Sequence, residues 1–137
     1  MKSIVLKPWG SYQVLEESQK YTIKRIIVNP GGKLSLQSHQ HRSEHWIIVH
    51  GIAEVTINDD IKLLNSNENI FIPCKAKHRL ANYQSEDLVV IEVWYGDNLN
   101  EDVKAELKLR YPSDQDVGFK EGDIRGAFSL LYTEATN

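Results

Sequence analysis

Nine short runs rich in Val, Ile, Leu, Tyr and Trp divide the chain between Tyr12 and Tyr95, and none carries the sustained 3.6-residue period of a helix. They cover approximately residues 12–15, 21–28, 34–39, 44–50, 53–57, 61–64, 70–72, 78–81 and 88–95. Gly, Asn, Asp, Pro and Ser separate them, with Asn29-Pro30-Gly31-Gly32 and Asn58-Asp59-Asp60 as the clearest turns. So many short strands at even spacing predict an all-β sandwich or closed barrel, because an open sheet of that width would leave adhesive edges. The barrel core is expected over about residues 12–95. A C-terminal extension follows over 97–137, partly helical, with Val103, Leu107 and Leu109 in a weakly amphipathic stretch and the apolar residues 127–132 packing back on the barrel or on a second subunit.

A length of 137 residues suits one domain with one core, and nothing in the chain suggests a second domain or an internal repeat. The longest apolar runs, such as Trp46-Ile47-Ile48-Val49, fall far short of the ~20 residues that cross a bilayer, and Met1-Lys2-Ser3 opens no signal peptide. A cytoplasmic protein with no membrane partner is expected. Sixteen Lys and Arg against nineteen Asp and Glu, interspersed, make no broad positive face, which argues against nucleic acid. Cys74 is the single cysteine, so disulfides are excluded and any metal must sit on nitrogen and oxygen ligands.

Such ligands are available. In an extended chain alternate side chains share a face, so Gln37, His39 and His41 are expected to point together, and after a turn at Arg42-Ser43 the carboxylate of Glu44 can join them from the next strand. His78, which opens a strand after Pro73, is the fourth candidate. Three His and one Glu inside an apolar barrel suit one divalent metal ion, zinc first, with manganese, iron, cobalt or nickel as alternatives. Without a cation such a cluster would lose hydration at a cost of a few kcal/mol per group. His45 and His50 fall on the opposite face and read as ordinary strand residues, and Gln37 is either a ligand or sugar contact or simple strand polarity.

These residues also form a pattern. His39-x-His41-x2-Glu44-x6-Gly51 resembles the first motif of the cupins, and Pro73-x4-His78-x3-Asn82 the second, with Lys75 where Gly is common. Lys7-Pro-Trp-Gly-Ser-Tyr12, Leu34-Ser-Leu-Gln-Ser-His39, His41-Arg-Ser-Glu-His-Trp46 and Ile91-Glu-Val93 more closely resemble the cupin domain of type II mannose-6-phosphate isomerases, over roughly residues 7–102. The resemblance implies a double-stranded β-helix, or jelly-roll barrel. It also implies a metal-dependent isomerase that interconverts mannose 6-phosphate and fructose 6-phosphate for nucleotide-sugar and polysaccharide synthesis. In that family the cupin often follows a mannose-1-phosphate guanylyltransferase half; no such half is present in these 137 residues, so a stand-alone isomerase domain is expected. The residues after 99 depart from the family's usual ending.

For that reaction Glu92 and Lys77 are the proton-transfer candidates, and Gln37, Arg42 and Arg79 the candidates for binding a sugar phosphate, since a guanidinium can grip phosphate oxygens with two hydrogen bonds. Trp9 is expected in the core. A homodimer is expected. The competing readings are another cupin enzyme, either a sugar-nucleotide isomerase or epimerase or an iron-dependent dioxygenase, and a non-catalytic sugar-phosphate-binding module.

Overall fold

The computed structural model describes residues 2–97, and all regular structure there is β. The strands are β1 (Val5–Lys7), β2 (Gly10–Glu17), β3 (Tyr21–Val28), β4 (Arg42–His50), β5 (Ala53–Ile57), β6 (Asp60–Leu64), β7 (Asn69–Ile72), β8 (His78–Ala81) and β9 (Leu88–Gly96). The expected helix around residues 100–109 and the apolar stretch 127–132 lie outside the described residues. Eight of the nine expected runs have their counterpart here. The run at 34–39 is an irregular extended segment that lies along β8 by two isolated bridges, Lys33 to Ala81 and Gln37 to His78.

Two antiparallel sheets result, a six-stranded one in the order β1-β2-β3-β9-β4-β7 and a three-stranded one in the order β6-β5-β8. Their inner faces meet in one core that includes Trp9, Ile26, Val28, Ile48, Val55 and Leu80, so Trp9 takes the buried role expected of it. No helix among the described residues is long and apolar enough to cross a membrane.

The site is positioned by the register of three neighbouring strands. Ile26, Val90 and Ile48 pair across β3, β9 and β4; one step along lie Lys24, Glu92 and Trp46; the next step brings Thr22, Trp94 and Glu44. Because inward side chains recur every second residue, these rows stack inside the barrel as an apolar layer followed by two polar ones. Beyond them Arg42 pairs with Gly96. A Cβ at Gly96 would stand 2.1 Å from the His41 carbonyl oxygen, so only glycine lets β9 approach the chain where it enters β4.

Candidate metal centre

His39, Glu44 and His78 are buried, and one ligand atom from each lies within 4.8 Å of the others. They come from three separate segments: the extended stretch before β4, β4 itself, and the start of β8. Nε2 of His39 is 3.1 Å from Oε2 of Glu44, and Nε2 of His78 is 3.6 Å from the same oxygen. A divalent ion about 2.1 Å from each ligand spaces neighbouring donors by about 3.0 Å in an octahedron and about 3.4 Å in a tetrahedron. Both separations from the shared Glu44 oxygen are close to those of donors on one such ion. The tautomer fits as well: Nδ1–H of His78 donates to the Ala76 carbonyl at 3.0 Å, leaving the Nε2 lone pair to face the cluster.

His41 is not part of this cluster. The alternation that would have aligned Gln37, His39 and His41 breaks at a bend over Gln40 and His41, so His41 is exposed and Arg42 turns inward in its place. Gln37 stays on the inward face, buried, with its backbone N–H and C=O both hydrogen-bonded to His78, at 2.9 and 2.8 Å. That ladder ties Gln37 to the same end of the barrel as His78.

Glu44 and His78 line a small cavity partly open to solvent. Gln37, Arg42 and Arg79, named from the sequence as sugar-phosphate contacts, all line it, and so does Glu92. Arg79 is held in place by its Nε–H, which donates to the Leu34 carbonyl at 3.0 Å. Lys77 does not line it: its side chain is exposed, and its backbone N–H donates to Asn58 Oδ1 at 3.1 Å on the outer side of the turn.

The electrostatics divide two carboxyl groups only one indole apart. Nε1–H of Trp46 is shared between Oε1 of Glu44 at 2.9 Å and Oε2 of Glu92 at 3.1 Å. Burial works to raise the pKa of Glu44, but its contacts with His78, the Arg42 guanidinium and His39 overcome it and hold this carboxyl well below its ordinary value. For Glu92 burial is joined by the nearby Glu44 charge, and the pKa is driven well above the ordinary value despite Lys24 and Arg42. The two carboxyl groups are thus pushed apart, Glu44 towards the ionised form and Glu92 towards the protonated one. His39 is pushed down to about 3, first by burial and then by the Arg42 charge, so its imidazole is neutral and fit to be a ligand. Positive charge frames the pair: Lys24 and Arg42 both lie over the ring of Trp94, each at 3.5 Å from its centroid. The buried Lys24 was not anticipated from the sequence.

A family model described as the mannose-6-phosphate isomerase C-terminal domain matches residues 1–108. The chain belongs to that family. It is 47% identical over 107 residues to the mannose-1-phosphate guanylyltransferase ManC of Salmonella typhimurium, a match that covers 78% of this chain and 22% of that protein. Over 98 residues it is 48% identical to the xanthan biosynthesis protein XanB of Xanthomonas campestris pv. campestris, covering 72% of this chain and 21% of the relative. The chain thus spans about a fifth of the length of these curated relatives, which are enzymes. An RmlC-like cupin from Shewanella frigidimarina superposes with a TM-score of 0.64 at 19% identity, over 72% of this chain and 87% of that one, which establishes the cupin fold.

These matches correct the expected activity. Relatives at nearly half identity are named for guanylyl transfer and xanthan synthesis, not for isomerisation, and the expected interconversion of mannose 6-phosphate and fructose 6-phosphate does not stand. Of the two expected proton-transfer groups, Lys77 is exposed and outside the cavity lining, whereas Glu92 lines it.

Proposed function

We propose that this chain is a metal-centred ligand-binding module serving mannose-nucleotide and polysaccharide synthesis, and that its ligand is a mannose phosphate of the kind its relatives act on. The observation that carries the reading is the convergence of His39, Glu44 and His78, three buried donors from separate segments, at ligand spacing. One divalent ion, zinc by ligand type, is held by these three with Gln37 as a fourth donor. When bound, the ion supplies a Lewis-acidic contact for sugar hydroxyl oxygens.

The chain's own residues do the rest. Glu92, kept neutral, donates a hydrogen bond to a ligand oxygen, and Trp46 fixes its orientation. Arg79, which lines the cavity, takes phosphate oxygens. The test is elemental analysis with calorimetric titration of mannose 1-phosphate. About one equivalent of metal per chain, and sugar-phosphate affinity lost together with metal in His78→Ala, is the expected result. Metal retained in both His39→Ala and His78→Ala, or sugar-phosphate affinity indifferent to metal, overturns the reading.

A further inference from the structure

Arg42 lies closer to the candidate ligands than a sugar-phosphate contact requires. Its Nη2 is 2.9 Å from His39 Nε2, its Nε–H donates to Glu44 Oε2 at 3.2 Å, and its guanidinium is stacked on Trp94 with only 2% of the residue exposed. Since guanidinium nitrogens only donate, His39 Nε2 must accept. The imidazole lone pair and the carboxylate oxygen that would coordinate an ion are the atoms the guanidinium engages. A lone pair cannot serve both, and a divalent ion within a few ångströms of a buried guanidinium meets a repulsion that little water screens.

We infer that Arg42 is the pocket's own cation, displaced when a divalent ion enters, and that the displaced guanidinium completes an anion site with Arg79, which lines the same cavity. Metal and a phosphate monoester then bind with mutual reinforcement. The inference rests on the metal-binding reading above and extends it to the order and linkage of the two ligands.

The backbone permits the movement. Arg42 is the first residue of β4, directly after the bend at Gln40 and His41, and pairs with Gly96, which offers no side chain to hold it. Its inward neighbours further along the strand, Glu44 and Trp46, are fixed on both sides by β9 and β7. A side chain at a strand end can leave its place on Trp94 without disturbing the ladder, and both guanidinium groups line one cavity. Linkage then works both ways: an anion that binds the released guanidinium disfavours its return to His39 and Glu44, so it tightens the metal by the same factor.

Zn²⁺ affinity is measured by competition with a chromophoric chelator, and methyl phosphate serves as the anion probe, in the full chain and in Arg42→Met. In the unaltered protein Zn²⁺ is expected to tighten methyl phosphate at least tenfold, and methyl phosphate to tighten Zn²⁺ equally. Arg42→Met is expected to bind Zn²⁺ at least tenfold more tightly and to lose the linkage. Should that variant not fold, the Arg42 Nε–H resonance of the unaltered protein decides: Zn²⁺ is expected to shift it and to remove its protection from solvent exchange. Unchanged or weaker Zn²⁺ affinity in a folded Arg42→Met, or an Arg42 resonance insensitive to bound Zn²⁺, overturns the displacement while leaving the metal site standing. Failure of both proteins to bind Zn²⁺ overturns the metal-binding reading and this inference with it.

Discussion

The two ends of the barrel are built on the same strands and differ completely in what those strands turn inward. At one end β3, β9 and β4 contribute Val28 and Ile26, Leu88 and Val90, and Ile48; at the other the same strands contribute Lys24 and Thr22, Glu92 and Trp94, and Glu44 and Arg42. The change takes one step of the ladder, from the row Ile26–Val90–Ile48 to the row Lys24–Glu92–Trp46. The apolar end contributes stability in proportion to the surface it removes from water. The polar end buries two carboxyl groups, a lysine and an arginine, whose desolvation costs several kcal/mol per ion even when they are paired. A fold selected for stability alone has no use for that end, and its retention marks the site.

The contrast can be broken most forcefully at Glu44. Glu44→Ala leaves Arg42 without its buried counter-charge and is expected to destabilise the protein by about 3–5 kcal/mol, measured by urea unfolding, with metal affinity lost. Replacing the network as a unit, by Arg42→Met, Glu44→Leu and Glu92→Met together, is expected to leave stability unchanged or to raise it by about 1–4 kcal/mol, again without metal binding. A large loss of stability in the triple variant would mean that the polar end supports the fold. At the other end Leu88→Ala is expected to cost about 2–5 kcal/mol through the cavity it leaves while metal affinity stays as it was.

A smaller effect distinguishes the ends by pH. The unfolded chain protonates His39 near its ordinary value of 6.5, while the folded chain resists until about 3. Protonation therefore favours unfolding, and the stability His39 provides in the metal-free protein is present above pH 6.5 and lost as pH falls towards 3. Glu92 acts in the opposite sense, taking its proton more readily in the folded state, so Glu92→Gln is expected to raise the thermal midpoint at pH 8. Thermal unfolding across pH 3–8 of both proteins and of His39→Gln checks the two signs. The smallest change lies outside the barrel interior: Lys75 adopts φ 73°, in the left-handed region, and Lys75→Gly is expected to stabilise by about 1 kcal/mol.

Most of the strand order was legible because turns and β-rich runs are local signals. Strand β1, three residues long and mostly exposed, is too short to read as a strand. The site was only partly legible. His39, Glu44 and His78 could be named from residue type and spacing, but the exposure of His41 depends on the bend at Gln40 and His41, which no residue there announces. Lys24 was hidden for a different reason. On β3 the outward positions Ile23 and Ile27 are as apolar as the inward Ile26 and Val28, so parity alone could not tell which face was the core, and Lys24 reads as a surface residue until β9 is paired against it.

The central claim is that the polar end is a cation pocket centred on His39, Glu44 and His78. The most direct test is an anomalous difference map from crystals soaked in Zn²⁺. The account predicts one strong peak within about 2.3 Å of His39 Nε2, a Glu44 carboxylate oxygen and His78 Nε2, with Gln37 as the next donor and Arg42 withdrawn. A peak coordinated by His41, or none inside the barrel, would contradict it.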